Sequence, residues 1–172
     1  MTNGGGKIDF LVFHNTSLGE LVFADMVKTV AKFICEEPEA KYKVMIGSDS
    51  KGMSELELVS VVAVHRVGSG GRYFWHRRQV QNIHGLREKI YSEVLASLRL
   101  ASAFLPTFRR ELVSASPKAF PYDFKIHVDI GENGATRDLI SEITGMVTAY
   151  GYEVLVKPES AAATTFADRH VR

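Results

Sequence analysis

Four carboxylates in this chain are spaced so that they could act together. Asp49 stands in the small polar turn Gly47-Ser48-Asp49-Ser50 after the apolar run ending at Ile46, and Asp129 stands in Asp129-Ile130-Gly131 after the run ending at Val128. If the two runs are parallel neighbouring strands, roughly 4.8 Å apart, one cation bridges both side chains. Glu93, in a helical segment, and Asp168, near the C-terminus, can lean over the same rim. Four acids in one place repel strongly unless divalent ions neutralise them. Hard oxygen ligands with open positions suit Mg²⁺ or Mn²⁺ rather than zinc. Taken singly, an aspartate just after a strand is more readily explained as a helix N-cap or turn former. The pair, in two glycine-containing turns that leave room for a ligand, is what points to a site.

The elements that must position these acids follow from hydrophobic spacing. Residues 1–7 read as a flexible tail, and residues 8–172 as a single domain, with Ile8–His14 adding an edge strand. Ser17-Leu18-Gly19-Glu20 has the form of a capping box, and Val27, Val30, Ala31 and Ile34 recur at helical spacing until Glu36-Glu37-Pro38. Lys43–Gly47, Leu58–Val64 and Arg72–Val80 read as three successive strands, the last two joined by Gly68-Ser69-Gly70-Gly71. Leu86, Ile90, Val94, Leu95, Leu98 and Ala101 predict a helix ending near Phe104, with Pro106 beyond it and a long irregular connection over Thr107–Asp123. A strand over Phe124–Val128, a helix over 135–150 closed by Gly151, a strand over Tyr152–Val156 and a helix from Ser160 complete the order. That order, α, β-β-β, α, β, α, β, α, predicts an α/β fold. Its mixed five-stranded sheet has three antiparallel strands followed by two parallel ones, flanked by helices. Ligands in such sheets collect at the carboxyl ends of the central strands, where Asp49 and Asp129 fall.

Composition sets the outer bounds. A chain of 172 residues with 45% hydrophobic and 24% charged residues fits one globular domain, which excludes a multidomain machine, a collagen-like repeat and a coiled-coil rod. No stretch approaches the ~20 apolar residues of a membrane span, and the N-terminus lacks a signal-peptide core, so the expected address is cytoplasmic, with no membrane partner. The one cysteine, Cys35, cannot form an internal disulfide, and no Cys/His cluster has zinc spacing. The formal net charge of +1 gives no global pull toward nucleic acid, but no acidic residue lies between Glu57 and Glu88. Arg66, Arg72, Arg77, Arg78 and Arg87 fall inside that segment with His65, His76 and His84, predicting a positive face able to contact phosphate. Arginines on an outer hairpin also guard an edge against aggregation, which is the competing explanation. Of Tyr73, Phe74 and Trp75, two are expected to serve packing rather than base stacking.

The order of elements and acids resembles the ribonuclease H-like fold. There the first acid lies on the first core strand, the second on the helix after a three-stranded meander, the third after the fourth strand, and the fourth on the last helix. Ile46-Gly47-Ser48-Asp49-Ser50, Leu86-Arg87-Glu88-Lys89-Ile90, His127-Val128-Asp129-Ile130-Gly131 and Phe166-Ala167-Asp168-Arg169-His170, with Phe13-His14-Asn15-Thr16, are also similar to the small bacterial YkuK-type family of that superfamily. The likeness covers nearly the whole chain from about Phe13. It implies an acidic tetrad of Asp49, Glu93, Asp129 and Asp168 holding two Mg²⁺ or Mn²⁺ ions, and hydrolysis of phosphodiester bonds in RNA, DNA or an RNA/DNA hybrid. One ion would activate a water and the other stabilise the leaving 3′ oxygen, the two roughly 3.5–4 Å apart, with Asp49 as the bridge. Glu93-Val94-Leu95-Ala96-Ser97-Leu98 looks like the glutamate-plus-aliphatic run of ribonuclease H helices. Glu88 is the alternate acid, five residues away and so roughly 140° round the helix, and the two cannot face the metals equally. Lys157 and His170 fall near the same rim as auxiliary groups, His170 for product release or proton transfer.

Two rival readings use the same residues. A catalytically silent module that binds nucleic acid or protein would retain this scaffold without turnover, since fold alone does not certify an enzyme. A nucleotide-binding protein would use Asp129–Gly134 to cradle phosphate, although no Walker lysine motif accompanies it and Asn133-Gly134 is an ordinary turn signal.

Overall fold

Residues 8, 11–116, 118, 120–131 and 136–157 are described by a computed structural model. The chain runs β1 (Val12–Asn15), β2 (Gly19–Val22), α1 (Phe23–Cys35), β3 (Tyr42–Gly52), β4 (Glu55–Arg66), β5 (Gly70–Gln81) and α2 (Leu86–Ala115). It continues with β6 (Tyr122–His127), a 3₁₀ turn (Arg137–Leu139), α3 (Ile140–Ala149) and β7 (Glu153–Leu155). The strands form one sheet in the order β2-β1-β5-β4-β3-β6-β7. β6 pairs parallel with β3, and β7 parallel with β6; the remaining neighbours are antiparallel. The architecture is therefore α/β with a mixed sheet.

The sheet has seven strands, not five. The additional pair is the β1–β2 hairpin, turned by Asn15, whose side-chain oxygen accepts the N–H groups of Ser17 and Leu18 at 3.0 and 2.9 Å. That Asx turn occupies the segment expected to be a capping box, so Glu20 lies in β2 and α1 begins only at Phe23. A second correction concerns Asp49. β3 does not turn out at Ser48 but runs on to Gly52, because β4 pairs with it from Tyr42↔Arg66 to Gly52↔Leu56. Asp49 is thus inside a strand, opposite Val59. A third concerns α2, which continues through Pro106 to Ala115. Proline costs a helix hydrogen bond, but Phe104, Leu105, Phe108 and Leu112 are buried on both sides of it, and that packing holds the helix together. The helix expected from Ser160 and the flexible tail over residues 1–7 lie outside the described residues.

Strand alternation divides the sheet into two faces. Val44, Ile46, Val62, Val64 and Phe74 pack against the buried residues of α1, α2 and α3. Met45, Val59, Val61 and Ala63 form a second cluster with Tyr73 and Trp75, to which no described helix contributes. Phe74 is core, whereas Trp75 stacks between Tyr73 and His14 with centroids 5.7 Å apart on each side.

Arg66 departs from its expected place on a phosphate-binding face. It is 8% exposed, and its Nε donates to the Tyr42 hydroxyl at 3.0 Å, one Nη to Glu37 at 2.7 Å and the other to the Phe33 carbonyl at 2.9 Å. Its guanidinium also lies 4.2 Å from the Phe33 ring centroid. The residue staples the end of α1 to the β3–β4 pair, using the fork geometry that lysine lacks. Arg66→Ala is expected to lower stability by about 2–3 kcal/mol, and Arg66→Lys to recover less than half of that. Urea unfolding midpoints of the three proteins check both.

Candidate active site

β3 presents alternate side chains to the two faces of the sheet. Ser48 and Ser50 point toward α2, and Asp49 stands between them. The Ser50 N–H donates to Asp49 Oδ1 at 2.8 Å, while the Ser50 hydroxyl donates to Glu93 Oε1 at 2.6 Å. Glu93 sits two turns into α2 and is 7% exposed. Its carboxyl is pushed up from the ordinary 4.5 to about 7. Burial is the main cause; the Ser50 hydrogen bond and the Lys89 charge oppose it, and the charges of Asp49 and Asp129 add to it. Glu93 therefore feels both aspartates across the rim.

Asp129 enters from the far side of β3. β6 lies parallel to β3 and ends at His127, so Asp129 follows the strand by two residues. The chain is closed there by Val128 N–H to the Leu155 carbonyl at 2.9 Å and Lys157 N–H to the Ile130 carbonyl at 2.8 Å. Lys157 Nζ reaches Asp129 Oδ1 at 2.6 Å. Gly131 lets the two segments approach closely there: a Cβ would stand 3.1 Å from the Cβ of Lys157, which would have to give by a few tenths of an ångström.

The structure thus brings Asp49, Glu93, Asp129 and Lys157 to one rim. It leaves Glu88 out: that side chain is exposed, and its carboxylate accepts the His84 N–H at 2.8 Å, satisfying a backbone donor at the start of α2. Asp168 and His170 lie outside the described residues. Among the described residues no group of three or more His, Cys, Asp and Glu is close enough to hold a metal ion as it stands. The donor chemistry nevertheless fits a hard divalent cation. Glu93 lies within electrostatic reach of Asp49 and Asp129, whose charges help drive it toward neutrality, and a lysine ammonium already pairs with Asp129.

The arginines of the expected positive face are dispersed. Arg72 lies 4.9 Å from the Phe33 ring centroid and 4.0 Å from Glu36, and Arg77 is 3.4 Å from Glu57. Arg87 pairs with Glu142 at 2.6 Å. Partial burial and the neighbouring charge of Arg99 hold Arg78 below the ordinary arginine range. Ser50 and Lys89 are site residues that the reading of the sequence did not single out. The available signal was Ser48, Ser50 and Ser60 on inward positions of β-branched strands, with Ser97 one helical turn after Glu93.

A mixed sheet carrying acids on adjacent parallel strands and on the helix that follows the meander defines the class: the chain belongs to the ribonuclease H-like family, whose model matches residues 25–172. Among curated proteins it is similar to the uncharacterized protein YkuK of Bacillus subtilis (strain 168). The two are 31% identical over 170 residues, a match covering 95% of this chain and 99% of that one. No solved structure matches it.

The raised Glu93 carboxyl has a consequence for stability. Between about 4.5 and about 7 the folded protein binds a proton that the unfolded chain has lost, so stability falls as pH rises through that window. Without divalent metal, this group is expected to make the protein more stable at pH 5 than at pH 8, by on the order of 3 kcal/mol. Glu93→Gln should flatten that slope and raise stability at pH 8. Urea midpoints measured in EDTA from pH 5 to 8 check it, and an unchanged slope in the variant would remove Glu93 as its source.

Proposed function

We propose that this protein is a nuclease that hydrolyses phosphodiester bonds of RNA, DNA or an RNA/DNA hybrid, with Asp49, Glu93 and Asp129, joined by Asp168, as ligands of two Mg²⁺ or Mn²⁺ ions. The observation that carries the reading is a buried glutamate on α2, hydrogen-bonded to Ser50 of β3 and within reach of the charges of Asp49 on β3 and Asp129 after β6, in a chain of the ribonuclease H-like family. When bound, the ions supply an activated water and charge stabilisation for the leaving 3′ oxygen. The chain's own residues supply the rest. In this reading Asp49 shares a cation with Glu93 or Asp129. Lys157 pairs with Asp129 in the protein alone and, in this reading, turns to the phosphate of an arriving strand. Lys89, one turn before Glu93 on α2, adds positive charge beside the site.

The ion pair between Lys157 and Asp129 favours one other reading, in which the lysine stands in for a cation and the protein binds nucleic acid or protein without turnover. Two measurements decide. With Mn²⁺ about 100-fold above its Kd, binding to the folded state alone is expected to raise the melting temperature by roughly 5–10 °C, an increase lost on combining Asp49→Asn with Asp129→Asn. Labelled RNA, DNA and hybrid are expected to show Mn²⁺- or Mg²⁺-dependent cleavage, at least ~100-fold slower in Asp49→Asn with an unchanged circular dichroism spectrum. Unchanged cleavage in Asp49→Asn would remove that residue from the mechanism. Salt-dependent binding with no cleavage and no metal-induced shift would establish the silent module instead.

A further inference from the structure

Behind the three carboxylates lies a buried set of hydroxyl groups that the chemistry above does not use. Ser48 and Ser60 face each other across β3 and β4 with their oxygens 2.8 Å apart, and the Ser97 hydroxyl reaches Ser48 Oγ at 3.0 Å. All three are buried. Ser97 also lies 3.1 Å from the carbonyl oxygen of Glu93, one turn earlier on α2. Hydroxyls in such surroundings cost stability unless they are satisfied, and alanine or valine would fill these positions with no polar group to satisfy. What the set achieves is geometric: it joins the 93–97 turn of α2 to β3 through small side chains, so that helix and strand approach closely. At the open end of the set stands Ser50, 5% exposed, which touches both neighbouring acids, Asp49 through its N–H and Glu93 through its hydroxyl.

We propose that Ser50 is a positioning residue. Its hydroxyl, on a strand whose distance from α2 is set by Ser48, Ser60 and Ser97, selects the Glu93 rotamer that carries the carboxylate to the rim beside Asp49. A buried carboxyl on a side chain with three rotatable bonds has several rotamers available, and one short hydrogen bond from a strand residue distinguishes the productive one. The inference rests on the reading of Glu93 as a metal ligand, and groups that hold a metal ligand in place typically affect metal affinity about 10–100-fold.

The test uses the full chain and the variants Ser50→Ala and Ser50→Thr, the second restoring the hydroxyl on a residue that strands favour. In metal-free protein, scalar couplings across the Glu93 χ1 bond are expected to report one rotamer in the natural sequence and in Ser50→Thr, but averaged values in Ser50→Ala. Calorimetric titration with Mn²⁺ is expected to show binding about 10–100-fold weaker in Ser50→Ala and restored to within about threefold in Ser50→Thr. A structural role alone would lower the melting temperature of Ser50→Ala without averaging Glu93 or changing the Mn²⁺ affinity, and that result overturns the proposal. A single Glu93 rotamer in Ser50→Ala overturns it whatever the metal does. Should the natural sequence bind no Mn²⁺, the ligand role of Glu93 falls, while couplings that become averaged only in Ser50→Ala still assign the positioning role to Ser50.

Discussion

The pairing of β3 on both edges is the constraint on which the rest of the structure depends. Eleven residues of this strand are bonded antiparallel to β4, and six of them parallel to β6. A strand bonded on both sides has no freedom of register, because a slip of one residue would send Val44 and Ile46 to the opposite face and bring Asp49 to the face they leave. The antiparallel partner carries β3 past the point where its own polar sequence would end it. The parallel partner then brings Asp129 alongside, at the end where two strands run in the same direction. The site is a consequence of that double pairing, with α2 laid across the strand to deliver Glu93.

Electrostatics at the rim follow from what this geometry buries. A glutamate is among the residues least often buried without a partner, yet Glu93 is buried where α2 meets β3, accepting a hydrogen bond from the Ser50 hydroxyl with two further acids within electrostatic reach. The protein alone meets this by raising the proton affinity of Glu93 and by pairing Asp129 with Lys157.

The arginine-rich segment shows how local sequence can suggest a surface that folding divides. Residues 66–87 span the end of β4, all of β5 and the start of α2, so their side chains are spread over both sheet faces and one helix. Arg66 turns inward to join α1 to β3 and β4, Arg72 rests on Phe33, and Arg77 and Arg87 meet acidic partners from distant segments. Charge counted along the chain says which groups are present. Pairing and alternation decide which of them share a face.

Much of the fold was legible in the chain. The meander, the amphipathic helix after it and the alternation of helix and strand follow from apolar spacing, a local property that tertiary contacts reinforce. The position of Asp49 before a run of small polar residues, and of Asp129 after the apolar run ending at Val128, marked both as candidates. Three things were not legible. The β1–β2 hairpin depends on Asn15 capping its own turn, where Ser17 and Glu20 equally fit a helix start. The continuation of α2 through Pro106 depends on aromatic burial that outweighs an unfavourable residue. The separation of Glu93 from Glu88 depends on which side of α2 meets β3. The sequence by itself determined which acids, hydroxyls and apolar faces exist and in what order they are presented, because side-chain chemistry and periodicity are properties of neighbours in the chain. Only the tertiary structure decided that Glu93 meets Ser50, that Asp129 meets Lys157 and that Arg66 is interior, because each depends on elements brought together from distant parts of the chain, whose register is fixed by the whole sheet.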